Sequence, residues 1–263
     1  MCYNLPDIMK SANKVDFFRV AIWLVTMLAL VHCAPSKKPV LVPSYQLLPV
    51  DDSYRGDSLA EATIAPYRHQ LATEMDVVIG HSNKRLTEQE LESLLGNFVA
   101  DAILSEGSHY YDGTIHMSVI NNGGLRAPIP EGPVKISNIY ELMPFENVLY
   151  ILELNGSQTK ALFDLLASTR RVAIANSVVI IENDKPVKIF IDGTPFREDS
   201  NYVLAVSDYL AQGGGGMEFL KDAKVLSVED IKIRDLIIDH IARLDSIGQP
   251  VDAEIEGRVR LIP

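Results

Sequence analysis

The chain has 263 residues, of which 47% are hydrophobic, and a formal net charge of −11. That is enough apolar material for one medium domain with its own core, and the negative charge speaks against a general affinity for nucleic-acid backbones or anionic lipid surfaces. Both cysteines, Cys2 and Cys33, lie at the N-terminal end, which excludes a disulfide or a thiolate metal site from the rest of the chain.

Residues 1–33 read as an export signal. Lys10, Lys14 and Arg19 form a positive opening, and Val20 to Val31 is an apolar run shorter than the ~20 residues of a spanning helix. Cys33 follows, and then the polar APSKKPV. The arrangement points to a bacterial lipoprotein signal with Cys33 as the acylated first residue of a periplasmic or outer-envelope protein. His32 stands where such signals expect a small residue, so plain secretory cleavage after Cys33 is the alternative. In the first case the membrane is reached only through a lipid anchor.

Residues 34–74 carry Pro35, Pro39, Pro43, Pro49 and Pro66 with little periodicity and are expected to be a tether and lead-in. The folded domain is expected over 75–263. MDVVIG (75–80) reads as a strand. Thr87-Glu88-Gln89-Glu90 has a capping-box pattern, and Leu91, Leu94, Leu95, Phe98, Ala102 and Ile103 share one helical face after it. MSVIN (117–121) is a strand feeding the turn Asn122-Gly123-Gly124, and VLYILEL (148–154) is another. Ser157 is a candidate cap for a helix with Ala161, Leu162, Leu165 and Leu166 on one face. VVII (178–181) and VKIFI (187–191) flank Asn183-Asp184 as a hairpin. VLAVS (203–207) is a further strand, and a last helix carries Ile233, Leu236, Ile237, Ile241 and Leu244, with Asp239-His240 expected on its surface. Helices and strands interleave without a regular βαβ period, which predicts an α+β fold with a mixed sheet and packed helices.

Three segments can carry chemistry. In INNGGLRAPIP (120–130), adjacent glycines let backbone N–H groups turn toward a ligand, and Arg126 can clamp an anion. The plainer reading is a tight turn with a solvated arginine. In YELMPFENVLY (140–150), Pro144 stiffens a connection that presents Phe145, a ring able to stack a planar base or simply to fill a core. In SDYLAQGGGGM (207–217), Gly213 to Gly216 follow Tyr209. Such a run needs close approach to a ligand or another backbone, or else is a loose surface loop. It has neither the dinucleotide-fingerprint spacing nor the Lys-Ser/Thr of a phosphate loop.

The series LGNFVADAI, NNGGLRAPIP, MPFENVLYILELNG and YVLAVSDYLAQGGGG resembles the C-terminal domain of the 5′-nucleotidase family, over roughly Met75 to Leu261. The resemblance implies a nucleoside- or nucleotide-binding domain in which two aromatic rings sandwich the base. Phe145 and Tyr209 match those rings, Asn121 a base- or ribose-contacting asparagine, Arg126 a phosphate- or ribose-side arginine, and Asn147 a further lining position. Two departures stand out. The family's glycine loop reads Gly-Gly-Asp-Gly, its aspartate holding the ribose hydroxyls, and here that position is Gly215. Arginines that the family often places before the LGN helix are replaced by Gln89 and Leu91.

The resemblance also places catalysis in a separate N-terminal metallophosphoesterase domain with two metal ions. The six histidines, His32, His69, His81, His109, His116 and His240, fall in no DxH or GNH[DE] cluster, so no cofactor is expected in this chain and divalent metals are expected only in a partner. Three readings follow: the substrate-binding part of a nucleotide-hydrolysing system whose metallophosphoesterase is a separate chain, a stand-alone nucleoside-binding lipoprotein, or a degenerate domain kept for assembly.

Overall fold

The computed structural model describes residues 19–27 and 57–263. Residues 19–27 are helical, and no helix among the described residues is long and apolar enough to cross a membrane. Cys33, Lys10, Lys14, the end of the apolar run and the tether as far as residue 56 lie outside the described residues. The chain divides into Met1–Gly56 and Asp57–Pro263, and the second unit is the subject from here on.

In chain order it runs α1 (Ser58–Met75), β1 (Val78–Ser82), α2 (Leu94–Tyr110), β2 (Met117–Asn121), β3 (Gly132–Lys135), α3 (Ile136–Leu142), β4 (Val148–Leu154), α4 (Gly156–Thr169), β5 (Val172–Ala175), β6 (Ser177–Glu182), β7 (Lys185–Ile191), β8 (Thr194–Pro195), β9 (Tyr202–Ser207), α5 (Asp208–Ala211), β10 (Lys224–Lys232), α6 (Ile233–Ser246) and β11 (Val259–Leu261). The central sheet has the order β10-β4-β9-β2-β5, a second has β11-β6-β7-β8, and β1 pairs with β3. β2 and β9 are parallel, as are β11 and β6, while the remaining neighbours are antiparallel. This is the mixed-sheet α+β architecture that the interleaved pattern predicts.

Successive strand residues face opposite ways, and the central sheet is buried on both sides. Leu149 and Ile151 of β4 join Ile120 in one cluster with Phe98, Val99 and Ile103 of α2 and Leu236, Ile237 and Ile241 of α6. Leu152 and Leu154 join Met117 and Val119 in another, with Leu162, Phe163 and Leu166 of α4 and Val179, Ile181 and Ile191 of the second sheet. Three layers result: α2 and α6, the central sheet, then α4 with the second sheet. The hairpin turn forms at Asn183 and Asp184, both with positive φ (49° and 58°), the geometry that a two-residue connection favours.

Local details differ from the sequence reading. The cap of α2 is Ser93, whose Oγ accepts from Gly96 N at 3.0 Å. Thr87 is not that cap, because Leu91 adopts φ 76° and breaks the run before a helix can start. The cap of α4 is Asn155, in a reciprocal pair with Gln158, and Ser157 already lies inside the helix. His240 is not a surface residue: its side chain is 12% exposed, Nδ1 lies 2.7 Å from Glu106 Oε1, and the ring packs edge-on to Phe98. Glu106, itself buried, also meets Arg243.

The largest difference is α1, which stands where prolines suggested an irregular lead-in. Asp57 caps it through Leu59 N and Ala60 N. Pro66 sits inside it and none of its residues is buried. A helix-interior proline costs ~3 kcal/mol, and most helical stability in proteins comes from packing an apolar face. Among the described residues only its last turn is partly covered, at Ala72 and Met75, where it meets α3.

Candidate functional site

The ends of β2 and β9 and the start of β4 meet at one edge of the central sheet. β2 and β9 run parallel, so both deliver their following loops to the same side, and Leu149 of β4 lies opposite Ser207 of β9. The three loops enclose a cavity of about 620 Å³ lined by Ile120, Asn121, Gly123, Gly124, Met143, Phe145, Glu146, Asn147, Ser207, Tyr209 and Ile233. Of the residues singled out from sequence, Asn121, Phe145, Asn147 and Tyr209 come together here. Arg126 and Gly215 do not line it.

The first wall is the turn after β2. Asn122 to Gly124 form one tight turn, closed by Leu125 N donating to Asn122 O at 3.0 Å and tied to the sheet by Asn122 N donating to Arg171 O at 2.9 Å. Its side chain donates to Glu88 Oε1 at 2.7 Å, so an acid approaches this turn from the segment where the resemblance leads one to expect arginines. Arg126 is exposed, and its guanidinium donates to Gly123 O at 3.3 Å.

The second wall, from Met143 to Asn147, is heavily braced. Phe145 is 39% exposed, a ring held open to solvent rather than one in the core. Glu146 pairs with Lys232 and with Arg234 Nη2, the latter at 2.8 Å. Hydrogen bonds from Lys232 and then Arg234 hold the Glu146 carboxyl below the usual carboxylate range. The Arg234 side chain is 3% exposed and its guanidinium lies 3.9 Å from the centre of the Tyr140 ring. Asn147 Nδ2 donates to Asp208 Oδ1 at 2.7 Å, and Ile233 N donates to Asn147 O at 2.8 Å.

The third wall carries Tyr209, 50% exposed. Ser207 caps the short α5, Tyr209 N donates to Asp208 Oδ1 at 2.7 Å, and the Tyr209 hydroxyl accepts from Gly215 N at 3.2 Å. The glycine run folds back under the ring. A Cβ on Gly214 would stand 2.5 Å from the Tyr209 carbonyl and ring, so only glycine fits that place. Gly213, Gly215 and Gly216 all have positive φ. A Cβ on Gly215 would lie 3.8 Å from Asn121 Cβ, so that position looks toward the cavity rim without lining it.

Sequence reasoning missed Glu146, Ser207 and the apolar floor of Ile120, Met143 and Ile233. Glu146 had a signal, since it stands between two residues that were named. The floor residues had none, because they read as ordinary core. No side chain lining the cavity is cationic, and the nearby Lys232 and Arg234 are committed to Glu146. Among the described residues, no three His, Cys, Asp or Glu side chains gather as a metal site, so they do not fit a di-metal centre. The cavity can take a planar ring between apolar and aromatic surfaces, with amides and backbone N–H groups at its edge.

Comparison with known proteins bears on the family and the fold. A trifunctional nucleotide phosphoesterase protein of Bacillus subtilis is 28% identical over 235 residues, which is 81% of this chain and 16% of that one. A 5′-nucleotidase of Vibrio parahaemolyticus is 25% identical over 177 residues, 64% of this chain and 30% of that one. The chain therefore spans less than a third of the length of either relative. The crystal structure of a 5′-nucleotidase precursor from Thermus thermophilus superimposes with a TM-score of 0.69 at 23% identity, covering 78% of this chain and 43% of that one, a likeness of fold. The family model for the 5′-nucleotidase C-terminal domain matches residues 77–222, and the chain belongs to that family.

Proposed function

We propose that this chain is the ligand-binding part of an exported nucleotide-hydrolysing system, with phosphoester cleavage supplied by a separate metallophosphoesterase chain. One observation carries the reading: two exposed aromatic rings, Phe145 and Tyr209, line the same cavity as Asn121 and Asn147. Base–aromatic stacking contributes ~1–3 kcal/mol per base. Calorimetry of the purified chain with adenosine tests it, and heat that does not saturate for any nucleoside sinks it. The chain on its own is expected to release no phosphate from AMP, with or without added divalent metal. Saturable metal-dependent turnover would place catalysis here instead.

A stand-alone binding protein is the second reading. It is favoured by Gly215, which removes the family's ribose acceptor, and by the lack of a cation in the cavity lining. On this reading the preferred ligand is uncharged and need not carry a ribose diol. Adenosine, adenine and AMP compared by calorimetry separate the two readings. We further propose export with Cys33 acylated. Fatty-acid labelling of the wild type and of Cys33→Ser checks this, and label unchanged by the substitution, or absent from both, leaves simple secretion.

A further inference from the structure

We propose that the Ser207 hydroxyl selects the ligand of the cavity by donating a hydrogen bond to its inner edge, so that the site takes a heteroaromatic ring with a lone-pair acceptor there. The inference rests on the base-stacking reading above and names the chemistry that this reading leaves open.

The first argument is where the side chain points. Alternate residues of a strand face opposite sides of the sheet. In β9, Val206 packs in the cluster with α4, while Ala205 packs in the cluster that also holds Ile120, Met143 and Ile233. Ser207 stands two residues after Ala205, on the same face, and opposite Leu149 of β4, which belongs to that second cluster too. Ile120, Met143 and Ile233 are the apolar floor of the cavity, and Ser207 lines it with them. Phe145 and Tyr209 are 39% and 50% exposed, whereas Ser207 is 4% exposed. The rings thus stand at the mouth and the hydroxyl at the bottom, where the edge of a ring stacked between them arrives.

The second argument is the hydrogen-bond inventory of that hydroxyl. A serine Oγ has one proton to give and two lone pairs to offer. Ser207 Oγ accepts from Leu210 N at 3.3 Å as the N-cap of α5. Among the described residues no group accepts its proton. A buried donor without an acceptor is costly and uncommon, and here it faces a cavity. Neighbouring polar groups are already committed: Asn147 Nδ2 to Asp208 Oδ1 at 2.7 Å, and Glu146 to Lys232 and Arg234.

The third argument is the contrast with the rest of the floor. Ile120, Met143 and Ile233 offer a ligand no side-chain hydrogen bond. A ring whose inner edge carries only C–H leaves the hydroxyl unpaired and shut away from water. Sites of this kind reject an analogue that lacks the partner atom more strongly than one that merely differs in size. The ligand class is therefore narrowed by one atom, a pyridine-type nitrogen or a carbonyl oxygen that faces Ser207.

The test titrates the purified chain, by calorimetry, with adenosine and with its 1-deaza, 3-deaza and 7-deaza analogues, in each of which C–H replaces one ring nitrogen. Wild type, Ser207→Ala, Ser207→Gly and Ser207→Thr are compared. Glycine is nearly as good an N-cap as serine and alanine is not, so the two truncations separate a lost cap from a lost donor, while threonine keeps both. Circular dichroism checks that each form is folded. In wild type, one analogue is expected to bind about tenfold more weakly than adenosine. Ser207→Ala and Ser207→Gly should weaken adenosine to the level of that analogue and leave the analogue unchanged, and Ser207→Thr should keep the difference. A wild type that binds all three analogues as well as adenosine overturns the proposal, with no variant needed. Truncations that weaken adenosine and every analogue by one factor assign Ser207 to capping alone, with the same consequence. Both of these outcomes leave the base-stacking reading standing. No saturable binding of any of the four ligands to wild type overturns both.

Discussion

The two walls of the cavity that carry the aromatic rings are built in opposite ways. The Phe145 wall is tied down by side chains: Glu146 to Lys232 and Arg234, Asn147 to Asp208, and Asn147 O to the first residue of α6. The Tyr209 wall uses side chains at the start of α5, where Ser207 Oγ and Asp208 Oδ1 accept from backbone N–H groups, and beneath the ring it rests on glycine backbone, with the Gly215 N–H on the Tyr209 hydroxyl. One ring is braced by ion pairs and amide contacts, and the other lies on a glycine run where a Cβ at Gly214 has no room. The difference teaches that one cavity can present two exposed rings on supports of different chemistry. Four experiments break or sharpen the contrast.

The largest effect is expected from Phe145→Ala. Removing the braced ring should weaken nucleoside binding by roughly ten- to a hundredfold, read by calorimetry, with little change in thermal stability because the ring is partly exposed. Gly215→Asp comes next. Gly215 has φ +65°, a region that aspartate tolerates better than most residues. Its Cβ would meet Leu210 Cδ2 at 3.1 Å, so that side chain must give slightly. A charge-assisted hydrogen bond to a ribose hydroxyl contributes ~1.5–3 kcal/mol, part of it offset by strain. Adenosine binding should tighten about tenfold, and adenine binding should stay the same. Equal changes for both ligands would mean that the loop does not see the sugar.

Asn147→Ala should have a smaller effect. It removes one partly buried hydrogen bond, ~1 kcal/mol, and should lower the melting temperature by about 2–4 °C. The smallest effect on the cavity is expected from Glu106, which bridges α2 to α6 and does not line the cavity. Burial alone would raise its pKa, and hydrogen bonds from Arg243 and His240 together outweigh that, so the folded value is lowered. The stability that this carboxylate contributes is therefore present above the ordinary glutamate pKa and is lost as pH falls through the lowered folded value. Glu106→Gln should flatten the acid limb of the stability–pH profile without changing nucleoside affinity.

What was legible in the sequence follows the strength of the local signal. MSVIN and VLYILEL matched their strands because both are continuous apolar runs bounded by turns. The hairpin at Asn183-Asp184 was legible because both residues tolerate positive φ. Helix starts were less so: Thr87 and Ser157 are acceptable caps in isolation, and only the path of the chain shows that Ser93 and Asn155 do the capping. α1 was hidden because Pro66, the prolines before it and the lack of a buried face imitate a linker. His240 was assigned to the surface although it falls three residues after Ile237 and one before Ile241. Its partner Glu106 sits one turn beyond Ala102 and Ile103, and that pairing of two polar residues across two helices has no signature in either helix alone. Four cavity residues were found because each lies in a short segment that carries the family resemblance. The floor was not, because it borrows core side chains.

The family match ends at residue 222, yet the fold does not. β10 supplies the edge strand beside β4, α6 covers one face of the central sheet, and β11 closes onto β6. Arg258, just before β11, reaches back to Asp101 with two hydrogen bonds, at 2.8 and 2.7 Å, and to the Ile174 carbonyl at 2.9 Å. Synthesis proceeds from the N-terminus, so β4 and β6 emerge from the ribosome long before the strands that complete them. The nascent domain must wait with open sheet edges until its last residues are free. A chain ending at residue 222 would leave β4 and β6 each without one of its pairing strands, and exposed edges of that kind favour aggregation.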